Sequence, residues 1–156
     1  MKFEHLIQIN DPANPLIEAL TLDQLWTGLM HRVDNPIPFL PGLERCTIVS
    51  REGNELLREL DFGAAVIQDK VSFVEAAWVR FDIQPGDTHA GGSLTITIEE
   101  PEEGSLFLRF AYVTNLGDNP ASEDAAYVDY VKSAYHQSDI DTVRIIRTLA
   151  ATGRTH

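Results

Sequence analysis

His5 stands in register with Phe3, Ile7 and Ile9, and Glu75 stands in register with Phe73, Ala77, Val79, Phe81 and Ile83. Spacing of two sends alternate side chains to one face of a strand, so both positions would carry an ionisable group toward an apolar interior. A carboxyl placed there has a raised pKa and can act as acid, as base or as anchor for a ligand hydroxyl. An imidazole can move a proton near neutral pH. If the two converge they are the acid–base pair. If they do not, His5 is a core histidine bonded to a backbone carbonyl, and Glu75 is a solvated strand end.

Tyrosine suits a cavity that must be apolar yet orient a polar group. Tyr112 alternates with Leu106, Leu108 and Phe110, a register that faces inward and turns Arg109 outward. Tyr127 opens a long helical pattern, followed by Val131 and Ala134, with Ser138 and Thr142 as small polar interruptions. The expected ligand-binding residues are therefore His5, Trp26, Glu75, Phe81, Tyr112, Tyr127, Val131 and Ala134, and the catalytic ones, if there is catalysis, His5 and Glu75. Tyr135 reads as packing.

Other motifs carry less. Asp139-Ile140-Asp141-Thr142 matches the D-x-D-x-T of aspartate-based phosphatases, whose nucleophile must end a buried strand; here it lies within a helical pattern, where Asp141 pairs with Arg144. His31, His89, His136 and His156 have no partner at metal-ligand spacing, so no metal and no cofactor is expected. Gly91-Gly92 reads as a turn, since no lysine and helix follow it as in a phosphate loop. Cys46 has no neighbouring histidine and reads as an inert thiol.

These residues need elements to position them. Lys2 to Asn10 alternates as a strand, ended by Asp11-Pro12 and Asn14-Pro15. Thr21 and Gln24 form a capping box, and Leu22, Leu25, Trp26, Leu29, Met30 and Val33 follow at helical spacing. Asn35 to Gly42 holds three prolines and must turn. Strands are then expected at Leu43 to Ser50, Glu55 to Phe62, Ala65 to Asp69, Phe73 to Ile83, Ser93 to Glu99 and Leu106 to Thr114, about seven in all and mostly antiparallel. Past Asn119-Pro120, Ser122 is an expected N-cap. Tyr127, Val131, Ala134, Ser138, Thr142, Ile145 and Leu149 predict one helix of about 30 residues, about 45 Å long, enough to cross a curved sheet.

The 156 residues fit one domain, 1–156. A formal charge of -12 repels phosphate backbones and anionic lipid surfaces, which argues against nucleic acid. No apolar run approaches the roughly 20 residues of a membrane span, and the N-terminus is too polar for a secretory signal, so neither membrane insertion nor export is expected. With one cysteine, a cytoplasmic location follows. Phe107, Ala111 and Val113, on the outer register, form an apolar strip that could pair two copies as a homodimer.

The strings RELDFG at Arg58 to Gly63, LFLRFAY at Leu106 to Tyr112 and AYHQSDIDTVRIIR at Ala134 to Arg147 resemble the AtaL-like group of the START/Bet v-like superfamily, the SRPBCC or helix-grip proteins. The resemblance runs over essentially the whole chain. It implies an α+β fold in which a curved antiparallel sheet wraps a long C-terminal helix, with short helices after the first strand. It also implies an internal cavity for a lipid, a polyketide or an aromatic metabolite. Three functions stay open: binding of a small hydrophobic molecule, a polyketide cyclase or aromatase using the same cavity, and a protein-interaction module with a filled core. The resemblance transfers no catalytic residue, so the enzyme question is undecided.

Overall fold

Apolar alternation carries directly into seven strands. In the computed structural model, which describes residues 2–86, 91–114 and 125–153 with the side chains of 125–128 excepted, these are β1 (Lys2–Gln8), β2 (Arg45–Glu52), β3 (Glu55–Asp61), β4 (Val66–Val74), β5 (Trp78–Ile83), β6 (Gly92–Glu102) and β7 (Ser105–Thr114). They form one curved antiparallel sheet in the order β1-β7-β6-β5-β4-β3-β2. Helix α1 (Leu22–Asp34) follows β1, and the long helix α2 (Ala125–Ala151) closes the chain. The expected N-cap Ser122 lies outside the described residues.

Thr21 caps α1 as its sequence requires: its side chain accepts from the Gln24 backbone N–H, and the Gln24 side chain accepts from the Thr21 backbone N–H. Asn10 fastens the preceding loop by accepting from the Leu20 N–H at 2.9 Å and donating to the Leu20 carbonyl at 2.7 Å. The proline-rich segment makes a single 3-10 turn at Ile37–Phe39.

One strand boundary differs from expectation. Phe73 to Ile83 is not one strand, because the chain reverses at Glu75, Ala76 and Ala77, and Phe73 pairs back onto Val79. The turn holds Ala76 in the left-handed region, at φ 61. A non-glycine residue is seldom found there, and no glycine, proline or asparagine announces the reversal.

The inner face of the sheet carries Phe3, His5 and Ile7 from β1, Leu108, Phe110 and Tyr112 from β7, Leu94 and Ile96 from β6, Val79 and Phe81 from β5, Val71 and Phe73 from β4, and Leu56, Arg58 and Leu60 from β3. Its centre is filled by its own side chains: Val71, Val79, Ile96, Leu108 and Phe110 are wholly buried and border no water-sized space. Each large apolar side chain buried there contributes about 1.5–3 kcal/mol. Toward one end the face opens, and Ile83, one step beyond Phe81 on the same face, is 39% exposed.

Helix α2 crosses the open side with Asp139, Thr142, Val143 and Ile146 buried. It packs against α1 at Gly28, where an added Cβ would lie 2.6 Å from Cγ2 of Ile146. The absence of a side chain at Gly28 sets how closely the helices approach, and so where α2 meets the sheet.

Candidate functional site

Near the open end, charged and polar side chains from six elements meet beneath an aromatic wall. Asp139, on α2, is 0% exposed, and its Oδ1 accepts a hydrogen bond from the Tyr112 hydroxyl at 2.5 Å. Its Oδ2 meets Nε2 of His5 in a close contact that lacks hydrogen-bond alignment, and neither atom has another partner among the described residues. Nδ1 of His5 lies 2.7 Å from Nδ1 of His136, one of the two donating. The Tyr112 ring stacks on Tyr135 with centroids 4.2 Å apart, and Phe3 stacks on both tyrosines and on His5.

Arg32, in the last turn of α1, reaches into this group. Its guanidinium carbon lies 4.9 Å from the centroid of the Phe81 ring, and its Nε is buried without a hydrogen-bond partner among the described residues. Arg58 lies against the same ring at 5.2 Å. It is held firmly: Nε and one terminal nitrogen donate to the two Asp69 oxygens at 2.9 and 2.6 Å, and the other donates to the carbonyls of Arg32 and Val33. Arg58 thereby caps the end of α1 and fixes the backbone that carries Arg32.

The electrostatics follow from burial. Desolvation pushes the Asp139 carboxyl up to about 7, against the opposing pull of the Tyr112 hydrogen bond and the Arg32 charge. Burial raises the Tyr112 phenol well above its ordinary range, helped by the neighbouring Asp139. Burial and then His136 hold the His5 imidazole below 6.5. Arg32 is lowered chiefly by burial, with Tyr112 and Asp139 acting the other way. It remains a cation, because guanidinium does not deprotonate in proteins. Near neutral pH the site thus holds a fixed cation, a carboxyl close to its midpoint, an imidazole and a phenol.

Of the expected residues, His5, Phe81 and Tyr112 belong to this site. Trp26 is buried but packs on Phe73 at 6.0 Å as core. Glu75 is exposed in the β4–β5 turn and does not face the interior, since the reversal at Ala76 removes it from the alternation of Phe73 and Phe81. It is therefore neither His5's acid–base partner nor a cavity residue. Ala134 is also corrected: it is exposed, because the inward line of α2 runs Tyr135, Asp139, Thr142 and Ile146, about 100° round the helix from the line through Ala134 and Ser138. Val131 is half-buried beside that line, and the Tyr127 side chain lies outside the described residues. On the outer face Arg109 pairs with Glu99 and Glu4. In the strip expected to pair subunits, Val113 is exposed, while Phe107 and Ala111 are half-buried.

Sequence reasoning missed Arg32, Arg58, Asp69, Asp139 and the pairing of His136 with His5. For three of them a signal was there, since Arg32, Arg58 and Asp69 each occupy an apolar register. Arg58 lies between Leu56 and Leu60 at spacing two, Asp69 lies between Ile67 and Val71, and Arg32 follows Leu25 and Leu29 at seven and three. Among the described residues no three His, Cys, Asp or Glu side chains converge as a metal ion requires. No described helix is long and apolar enough to cross a membrane.

A family model described as acetylaranotin biosynthesis cluster protein L, AtaL, matches residues 7–153. No curated protein matches the sequence. Among solved structures the chain is similar to the di-domain aromatase/cyclase StfQ of the steffimycin biosynthetic pathway, at TM-score 0.69 and 13% identity over 97% of this chain. It spans about half of StfQ, 51%. It is also similar to the ZhuI aromatase/cyclase of Streptomyces sp. R1128, with TM-score 0.57, 12% identity, and coverage of 94% of this chain and 90% of that one. Similarity to Ara h 8.0201 has TM-score 0.62, 16% identity and coverage of 95% and 98%. At these identities the likeness concerns the fold.

Proposed function

We propose, since this chain belongs to the AtaL family, that it binds a small hydrophobic molecule bearing an acidic oxygen, such as a phenol, an enol or a carboxyl, between the inner sheet face and α2. The observation that carries this reading is the buried Arg32, whose Nε has no partner, beside the buried Asp139 and under the Phe81 ring. A buried donor left unpaired costs about 1–3 kcal/mol, a burden that a ligand oxygen would relieve. The aromatic rings of Phe3, Phe81, Tyr112 and Tyr135 suit a flat or polyene-like body, and the open end near Ile83 suits entry. That two of the similar structures are aromatase/cyclases supports a ligand of polyketide type.

Native mass spectrometry of the purified chain after incubation with organic cell extracts tests the proposal. The expected result is a discrete added mass that Arg32→Met loses while its circular dichroism stays that of the wild type. No retained molecule across varied extracts would overturn it and favour the interaction module with a filled core.

A second reading, catalysis of the cyclase or aromatase type, is favoured by the Tyr112–Asp139–His5 contacts, which put a phenol, a carboxyl and an imidazole in one proton-exchanging group. It expects turnover of a poly-β-keto thioester to fall by about a hundredfold in Asp139→Asn, with binding retained.

A further inference from the structure

The buried polar group has an end in solvent. His136 is exposed on α2, with its ring 4.8 Å from that of His5 and the two Nδ1 atoms 2.7 Å apart. Beyond His5 comes Oδ2 of Asp139, and beyond Oδ1 of Asp139 comes the Tyr112 hydroxyl. His136, His5 and Asp139 thus form a line of close contacts from the surface to a carboxyl with no solvent contact of its own, and Tyr112 lies at its far side. A structural role for His5 would be met by one backbone acceptor. Here instead both of its nitrogens face titratable partners, one of them exposed and the other buried.

We infer that His136 and His5 are the route by which Asp139 exchanges its proton with solvent, and that an acidic ligand binding beside Arg32 draws one proton inward along it. The second half of this inference rests on the ligand reading above; the first half does not. Only one hydrogen can lie between the two Nδ1 atoms, so the tautomers are linked. With Asp139 ionised, His5 carries its hydrogen on Nε2, facing the carboxylate, and accepts at Nδ1 from Nδ1–H of His136. A proton taken up at Nε2 of His136 releases the Nδ1 hydrogen to Nδ1 of His5. His5 then gives its Nε2 hydrogen to Oδ2 of Asp139, a transfer that needs only a turn about the soft ring torsion to become linear. The balance is one proton taken from solvent, one carboxylate converted to acid, and two imidazoles left neutral with their tautomers exchanged.

The surroundings explain why a ligand would drive the step. Asp139 is faced by Tyr112 from β7, His5 from β1 and the Arg32 cation from α1; the Arg58–Asp69 pair of β3 and β4 lies next to Arg32, and Lys132 of α2 lies 5.9 Å from the Phe3 ring. Arg32 is the only one of these cations among the described residues that is not already matched inside the site or placed at its rim. A ligand anion beside it would leave two negative charges sharing one cation in a dry interior, which favours the neutral form of Asp139. With its midpoint already near neutrality, Asp139 needs little to take the proton.

The experiment has two arms on the whole chain. In the first, imidazole 15N and carboxyl 13C NMR follow the free protein from about pH 5 to about pH 9. The expected result is that the His5 hydrogen moves between Nε2 and Nδ1 at the same midpoint as the Asp139 carboxyl titrates, and that Asp139→Asn abolishes the move. A His5 tautomer that does not respond to Asp139 overturns the route. In the second arm 2-naphthoate is the probe, with calorimetry in buffers of differing ionisation enthalpy and stopped-flow mixing with a pH indicator. At about pH 8, where Asp139 with its midpoint at about 7 starts out ionised, about one proton is taken up per naphthoate bound, and His136→Phe, a change at an exposed position, slows that uptake about tenfold or more. Uptake at the wild-type rate in His136→Phe, or binding without uptake, overturns the inference while leaving the ligand reading intact. Failure of naphthoate to bind, with the tautomer exchange present, removes the ligand reading and the ligand-driven half of the inference, and leaves the route standing.

Discussion

Replacing Asp139 by asparagine should make the protein more stable at alkaline pH while changing it little in acid. The Asp139 carboxyl is pushed from 3.8 up to about 7 by burial. Between those values the folded protein holds a proton that the unfolded chain has released, so the stability contributed by the neutral carboxyl is complete below 3.8 and is lost as pH rises through about 7. At about 1.4 kcal/mol per tenfold in proton affinity, ionising Asp139 in place costs about 4 kcal/mol, a large share of the 5–15 kcal/mol typical of a domain. His5 acts in the opposite sense. Held below 6.5 by burial and by His136, it contributes stability that is present above 6.5 and lost as pH falls through its lower folded value. The His5 slope is largely common to the two proteins and drops out of their difference. Asparagine keeps an oxygen to accept from Tyr112 but cannot ionise. Urea unfolding, followed by the fluorescence of Trp26 and Trp78, would be measured for both proteins from about pH 5 to about pH 8. The variant should gain on the wild type by about 2.5 kcal/mol across that range. Two curves that stay parallel would mean that Asp139 titrates as an ordinary carboxylate, and the burial argument would be wrong.

Three further outcomes are expected. Ala76→Gly should raise stability by about 1 kcal/mol, because the left-handed conformation of the β4–β5 turn strains any residue with a Cβ; a lowered thermal midpoint would contradict this. Arg58→Met or Asp69→Asn alone should each lose about 3–5 kcal/mol in urea unfolding by leaving a buried charge unmatched, whereas Arg58→Met with Asp69→Leu should recover most of the loss. Cys46, half-buried and with its thiol pushed up by burial, should react with a disulfide reagent at neutral pH more slowly than free cysteine, and a rate equal to that of free cysteine would count against the buried position.

Much of the fold was legible because period and punctuation are local properties. The capping box at Thr21 and Gln24, the inward register of Tyr112 and the turn at the prolines were each read from a few adjacent residues and are seen in place. The β4–β5 reversal was not legible, since Glu75, Ala76 and Ala77 carry no turn chemistry and the left-handed conformation of Ala76 is imposed by the pairing of Phe73 with Val79. Glu75 was misplaced for that reason alone. Asp139 was seen only as part of an ill-fitting phosphatase pattern, because the polar positions of α2 admit two neighbouring inward lines and the sequence does not choose between them.

By itself the sequence determined the kinds and order of elements, the family, and the inward placement of His5, Phe81 and Tyr112, because alternation along a strand follows from backbone geometry. Tertiary structure decided the site. Gly28 lets α2 approach α1 until Ile146 fills the space, and that contact sets the rotation of α2 that buries Asp139 and exposes Ala134. Sheet order brings Arg58 and Asp69 together and places both guanidiniums against Phe81, and the crossing of α2 over β1 brings His136 to His5 from 131 residues away. Such meetings depend on distances between elements, which no local pattern of residues encodes.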